Sequence, residues 1–373
     1  WDDPLNAAPG LGAGGREAVR EARATAYAGL AQVHHRQGRD EEALAEYDQA
    51  VRIYPEDPNS RIGRGDVHRA LGDLDRALAD LDEAVRLGPS YARAFASRGR
   101  LLEDLKRDDR AEADYARAIE IDPNYAFAYR LRGALRSRLG RNEEALADFE
   151  VVGRLRPDDA ENFKDRGGVL VRMKRPTEAL AALNRALEID PKNAKAYQNR
   201  GAAYNDLGRY ADAVADLDRA IDLDPTNAGA RTNCGLAYFM LGEYERSLED
   251  LSEAVKLAPR NAVVHFNRGN VYARLGLREQ ALADYQAVEA ADPRLLASFG
   301  GVQKVFAEMS RESMAARSFR SCFDRANNSS NLRTSASFCA SSSLPRRSSC
   351  SARAASSSLR SCSVRLLSSS SCA

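Results

Sequence analysis

Eight prolines, Pro55, Pro89, Pro123, Pro157, Pro191, Pro225, Pro259 and Pro293, stand at an unbroken spacing of 34 residues. A chain with such a period folds as stacked supersecondary units, each burying its apolar face against its neighbours. The period also overrides length as a guide to domain count. A chain of 373 residues exceeds what one compact core accommodates, whereas a stack grows by adding units. With the landmark proline numbered as position 32, the repeats begin at Ala24, Pro58, Ala92, Ala126, Ala160, Ala194, Ala228 and Ala262 and fill residues 24–295.

The columns of this internal alignment point to two antiparallel helices per repeat. Position 8 is Ala31, Gly65, Gly99, Gly133, Gly167, Gly201, Gly235 and Gly269, and position 20 is Ala except for Ser247. A helical glycine costs about 1 kcal/mol against alanine, so a column of them predicts close helix–helix approach. Position 27 is small in six repeats, with Val152 and Val288 as exceptions, while positions 24 and 30 are large, as in Tyr47, Leu81, Tyr115 and Ile53, Leu87, Ile121. Those large side chains are expected to fill the space between neighbouring repeats. Position 15 is Gly in six repeats, which suits a left-handed helix C-terminus, and Lys106 and Lys174 replace it in the third and fifth. The periodic proline, preceded by Asp at Asp122, Asp190, Asp224 and Asp292, is expected to end the second helix and turn the chain into the next repeat.

Taken together, an aromatic at position 4 (Tyr27, Phe95, Tyr129, Phe163, Tyr197), Gly or Ala at 8, Tyr at 11 (Tyr204, Tyr238, Tyr272), Ala at 20 and 27, an aromatic or Leu at 24 and Pro at 32 resemble the tetratricopeptide repeat. The resemblance covers residues 24–295 in register. It implies an all-α, right-handed α-solenoid of about eight helix-turn-helix repeats, whose first helices line a concave groove through positions 2, 5, 6, 9, 12 and 13. Two columns depart from it. Position 4 is Arg61, Arg231 and His265 in three repeats, and position 7, Leu in the family, is Arg64, Arg98, Arg132, Arg166, Arg200 and Arg268 in six. Position 23 is acidic in seven: Glu46, Asp80, Asp114, Asp148, Asp216, Asp250 and Asp284. Positions 7 and 23 would lie on facing helices, so a ladder of Arg–Asp pairs is expected, orienting the helices more than stabilising them.

The flanks differ from this body. Residues 1–23 read as a leader or linker and the start of the first helix, with no structure assigned to 1–15, and the opening Trp1 leaves a preceding segment open. Residues 296–320 read as a capping helix or partial repeat. Residues 321–373 hold 20 serines, five of the six cysteines and seven arginines against one acid, while residues 1–320 carry 48 basic and 53 acidic residues. Disorder is expected in that tail, since it has too little apolar content to offset its ordering entropy. Its composition is what GC-rich coding DNA yields out of frame; the alternative is a genuine basic tail that contacts nucleic acid or an acidic surface.

Function is sought by elimination and then by position. The sequence contains no phosphate loop, no G-x-S-x-G, no H-E-x-x-H and no C-x-x-C, so no enzyme is expected. No apolar run approaches the length that spans a bilayer, and a body with one cysteine, Cys234, offers no disulfide framework. His34 and His68 share position 11 in adjacent repeats and are read as core fillers, without a metal. Position 6 carries three successive amides, Asn199, Asn233 and Asn267. An amide offers a donor and an acceptor in one plane, so such a column can grip an extended peptide backbone. This is similar to the asparagine ladder in the repeat superhelix of the O-linked N-acetylglucosamine transferases; the alternative is that Asn is inherited there without use. Lys195, Gln198, Asn205, Phe239, Met240, Phe266 and Asn270 fall beside it.

Repeats three to five instead place Arg93, Arg100, Arg130, Arg138, Lys164 and Arg172 at these positions, a basic stretch that suits an acidic peptide. The family's carboxylate clamp is missing, because Gly168 follows Lys164 at position 9, and Gly229 and Asn233 stand where cations would be needed. The expectation is a monomeric cytoplasmic scaffold or adaptor that binds a protein or peptide partner in the groove, without cofactor, membrane or nucleic acid. The alternative is the substrate-recruiting arm of a larger enzyme, such as a glycosyltransferase.

Overall fold

The computed structural model describes residues 13–292 and Arg294. These form sixteen α-helices and, among the described residues, no strand. The chain divides into two compact units between Val169 and Leu170. The first holds α1 (Ala13–Arg36), α2 (Asp40–Ile53), α3 (Pro58–Ala70), α4 (Leu74–Leu87), α5 (Ala92–Asp104), α6 (Asp108–Ile121), α7 (Ala126–Arg138) and α8 (Asn142–Leu155). Helix α9 (Ala160–Arg172) carries the division. The second unit continues with α10 (Pro176–Ile189), α11 (Ala194–Asp206), α12 (Tyr210–Leu223), α13 (Ala228–Leu241), α14 (Tyr244–Leu257), α15 (Ala262–Arg274) and α16 (Arg278–Ala291). Odd-numbered helices are the first helices of the repeats and even-numbered ones the second. Within each unit the fold is a helix-turn-helix solenoid.

Helix α1 begins at Ala13, three residues ahead of the helical pattern expected from Arg16. Gly14 and Gly15 fall in its first turn, where backbone N–H groups have no helical partner in any case. The expected capping helix at 296–320 and the tail at 321–373 lie outside the described residues.

The turn inside each repeat is the same in all eight. The N–H of position 16 donates to the carbonyl of position 11, as in Arg39 to His34 at 3.0 Å, Arg107 to Leu102 at 2.8 Å and Leu277 to Tyr272 at 2.9 Å. This is the six-to-one bond of a Schellman C-cap, which requires a left-handed residue in between. Position 15 supplies it, with φ from +72° to +84° at six glycines. Lys106 and Lys174 adopt the same conformation, at φ +58° and +57°.

The junction between repeats explains the prolines. The N–H of position 34 donates to the carbonyl of position 31, as in Tyr91 to Gly88 at 2.9 Å and Asn227 to Asp224 at 3.2 Å. That bond closes a β-turn with proline second, where its fixed φ fits and its missing N–H is not needed. Where position 31 is aspartate, its side chain accepts from the N–H of position 33, at Asn124, Lys192, Thr226 and Arg294. Position 34 then caps the next first helix through Asp57, Asn193, Asn227 and Asn261.

The position 24 side chains, expected between neighbouring repeats, instead meet the position 8 glycines between the two helices of their own repeat, because the missing Cβ leaves room there. A Cβ on Gly99 would lie 2.6 Å from the Tyr115 ring, on Gly201 2.5 Å from Leu217, and on Gly235 2.6 Å from Leu251. Tyr115, Leu217 and Leu251 are fully buried. The alanine columns at 20 and 27 are fully buried as well, from Ala43 and Ala50 to Ala281, so the interhelical core is formed by small residues admitting large ones.

The expected Arg–Asp ladder is present. Arg64, Arg98, Arg132, Arg200 and Arg268 each grip the position 23 aspartate of their own repeat with two nitrogens, at 2.6–3.0 Å to Asp80, Asp114, Asp148, Asp216 and Asp284. Three of them turn the third nitrogen to position 25 of the preceding repeat: Arg64 to Asp48, Arg98 to Asp82 and Arg200 to Asn184, at 2.8–2.9 Å. The ladder therefore ties repeat to repeat as well as helix to helix. Such a planar fork is a property of arginine that lysine lacks. The aspartates are buried and the guanidinium groups only partly exposed, which keeps the pairs from being plain surface ion pairs.

Candidate functional site

Position 8 is committed to the interhelical core and position 7 to the ladder, and of the positions expected to line a groove, 2, 5, 6, 9, 12 and 13 of the first helices, some side chains are exposed and others are packed. In the first compact unit, α5 and α7 bring Arg100, Phe127 and Arg130 together, with Arg93 of α5 near enough to act with Arg100 on Asp66. The guanidinium groups of Arg100 and Arg130 lie 5.8 and 5.5 Å from the centroid of the Phe127 ring. Arg93 is exposed, and Arg100, Phe127 and Arg130 are half-buried. Among the described residues none of these three arginines has a carboxylate within ion-pair distance.

Asp66 of α3 sits beneath this cluster. Its Oδ1 is buried without a hydrogen-bond partner, and its Oδ2 accepts a long bond from Ser97 Oγ at 3.4 Å. Burial raises its pKa, against the opposing pull of Arg100, Arg93 and Arg69. Asp66 and Phe127 were not among the residues singled out by sequence, although they stand at positions 9 and 2 of their repeats. Reading those columns for acids and aromatics as well as for cations finds both.

Of the other basic residues expected at these positions, Arg138 and Lys164 are engaged. Arg138 pairs with Asp108 at 2.8 Å and Glu103 at 3.1 Å. Lys164 pairs with Glu161 at 2.6 Å and Asp165 at 3.1 Å. Burial works against the Lys164 ammonium, but Asp165 and Glu161 prevail and its pKa stays above the ordinary lysine value. Burial raises the Asp165 carboxyl, against the pull of Lys164.

In the second unit the amides are packed more deeply than their column suggests. Asn199 is half-buried, while Asn233 and Asn267 are fully buried. Gln198 Oε1 accepts from Lys195 Nζ and Asn227 Nδ2, each at 3.0 Å, and its Nε2 lies where a Cβ on Gly229 would fall. Asn205 Nδ2 donates to the Asn233 carbonyl at 2.9 Å, bridging adjacent first helices. Asn270 Oδ1 accepts from Tyr285 Oη at 2.8 Å. Phe239 is buried against Leu251, Val264 and Val271 and tilts on Tyr244 at 5.5 Å, and Phe266 is fully buried beside Tyr285. Lys195 and Met240 are exposed.

Of the two histidines expected to fill the core at position 11, His68 is buried and His34 is half-buried, its Nδ1 3.8 Å from Glu42. Among the described residues no group of three or more His, Cys, Asp or Glu side chains is arranged to hold a metal ion. No helix among them is long and apolar enough to cross a membrane.

Family profiles described as tetratricopeptide repeat match residues 24–57, 62–126 and 262–294, and one described as TPR repeat matches 167–208, 201–242 and 238–276. Together they cover more than half of the chain. No curated protein matches it in sequence. Among solved structures, the Cut9–Hcn1 hetero-tetramer of APC/C superposes with a TM-score of 0.60 at 15% identity, over 72% of this chain and 52% of that one. A tetratricopeptide repeat protein from Parabacteroides merdae gives 0.53 at 19% identity, over 69% and 98%. YrrB, described as a TPR protein with an unusual peptide-binding site, gives 0.41 at 27% identity, over 48% and 92%.

Proposed function

The chain belongs to the tetratricopeptide-repeat family, and from that premise we propose that it is a non-enzymatic scaffold holding an extended segment of a partner protein against the exposed faces of its first helices. The observation that carries this reading is the distribution of variety among the repeats. Positions 8, 15, 20, 24, 27 and 32 hold nearly the same residue type throughout, and each has a structural task in a turn or in the core. The first-helix face varies instead. Position 2 runs through Thr, Asn, Arg, Phe, Glu, Lys, Gly and Val, whereas position 6, which runs through Gly, Ser, Leu, Asp and Asn, is partly taken up by packing. Columns released from packing on a repeated frame are where specificity is written in such an array.

Within this reading the half-buried Asn199 is the amide placed to meet backbone, with Lys195 at the edge of the amide stretch and Arg130 and Lys164 in the basic one, while Asn233 and Asn267, expected to act as peptide-facing rungs, are fully buried and belong to the packed layer. Gln198, Asn205, Asn270, Phe239 and Phe266 support those side chains from the packed layer beneath. The test is selection of a random dodecapeptide library on the full chain, followed by hydrogen exchange of the complex with the tightest peptide. Protection is expected along α5, α7, α11 and α13. Protection confined to the even-numbered helices would refute a site on the first helices.

A further inference from the structure

Within the first compact unit, the cluster on α3, α5 and α7 has a charge pattern that selects among peptides. Two guanidinium groups, those of Arg100 and Arg130, lie over one aromatic ring, and a third, that of Arg93, acts with Arg100 on the buried Asp66; none of the three has a carboxylate at ion-pair distance among the described residues. Elsewhere in this unit the arginines of the ladder, and Arg69, Arg136 and Arg138, all meet acids at ion-pair distance. In a body that carries more acids than bases, three adjacent cations left to solvent are not explained by packing. Beneath them lies the reverse deficiency, an acceptor, Asp66 Oδ1, buried with no donor.

We propose that this face is the docking site for an acidic segment of a partner protein, whose carboxylates pair with Arg93, Arg100 and Arg130 and whose backbone N–H reaches Asp66. The proposal rests on the groove reading above and names the chemistry of what the groove takes. A guanidinium held against a ring face is oriented edge-on to a ligand, so two carboxylates separated along an extended strand can each be met by a fork. The Phe127 ring between Arg100 and Arg130 offers an apolar surface between the two charges. A nucleic acid would also satisfy the guanidinium groups, but its continuous phosphates would run on towards the exposed Asp104 at the end of α5. An acidic stretch of a few residues avoids that conflict.

The decisive experiment measures binding of three probes to the full chain by fluorescence anisotropy: a labelled dodecapeptide of mixed Glu and Asp around a central Leu, the same peptide with Gln and Asn, and a thymidine dodecamer. The acidic peptide is expected to bind, more weakly at high salt, and the amide peptide not to. Arg93→Gln and Arg100→Gln should each weaken binding by about tenfold, the loss of one charge-assisted pair. Arg107→Gln, on the α5–α6 turn, should leave it unchanged, and circular dichroism melting of each variant separates lost binding from lost fold. Equal binding of the acidic and amide peptides, indifference to the arginine variants, or tighter binding of the thymidine dodecamer would each overturn the proposal. The library selection separates the two readings: binders on the first helices without acidic enrichment end this proposal and leave the groove standing, whereas binders elsewhere end both.

Discussion

The glycine at position 8 sets how closely the helices of a repeat approach, and one repeat shows what happens without it. Ala31 occupies that position in the first repeat, and Tyr47 at position 24 turns its ring towards the next first helix, where a Cβ on Gly63 would fall within its atoms. Position 6 is Gly63 there for that reason. In the third repeat no such escape exists, because Tyr115 is fully buried and its hydroxyl is held by Glu103. Gly99→Ala should therefore destabilise the chain by about 1–2 kcal/mol, overpacking outweighing the gain in helix propensity, as read from urea denaturation. An unchanged midpoint would mean that the ring has room to move. The small column was legible in the sequence, and so was the close approach it implies. The identity of the facing side chain was not, since that depends on how two helices are phased across a turn.

Turns and junctions are the elements that keep the repeat in step. Lys106 stands in a left-handed conformation that an L-residue adopts at a cost of about 1 kcal/mol or more, held there by the bond from Arg107 N–H to the Leu102 carbonyl. Lys106→Gly should stabilise the protein by about 0.5–1 kcal/mol, relief of the strain exceeding the extra chain entropy of glycine when unfolded. Thermal melting of the variant checks this, and a lowered midpoint would mean that the lysine side chain contributes more than its backbone loses. Sequence reasoning reached these turns because glycine and Asp-Pro announce them. It did not reach the second contact of the ladder, because column 25 reads Asp48, Asp82, Ala116, Glu150, Asn184, Asp218, Ser252 and Gln286 and has no uniform chemistry. The same limit applies to the candidate site. The period assigned Gln198, Asn205 and Asn270 to a face, but their bonds to Asn227, to the Asn233 carbonyl and to Tyr285 depend on how far a side chain reaches across to a neighbouring helix.

At the scale of the whole molecule, the ladder makes stability depend on which rungs are filled. The seventh repeat has Cys234 where others have arginine, and its two carboxylates are left with poor partners: Asp250 has Arg231 at 3.5 Å, and Asp218 has the thiol sulfur at 3.6 Å. Partial desolvation raises the pKa of both aspartates, and the Cys234 thiol at each and Arg231 at Asp250 only partly offset it. A carboxyl whose folded pKa lies above its unfolded value binds more protons when folded. Stability is then lost as pH rises from the unfolded pKa, about 4, through the raised folded one. Cys234→Arg would place a guanidinium between Asp250 and Asp218 as Arg98 stands between Asp114 and Asp82, lowering both pKa values. The variant should match its parent most closely near pH 4 and gain on it as pH rises, by about 1–2 kcal/mol at neutral pH, most of it from Asp250 since Asp218 is solvent-exposed. Denaturation midpoints of the two proteins at a series of pH values test this. A constant difference across the series would mean that the gain or loss comes from packing at position 7. A difference that opens with pH would identify the filled ladder as the feature that couples neighbouring repeats, since the same guanidinium spans Asp250 in its own repeat and Asp218 in the one before.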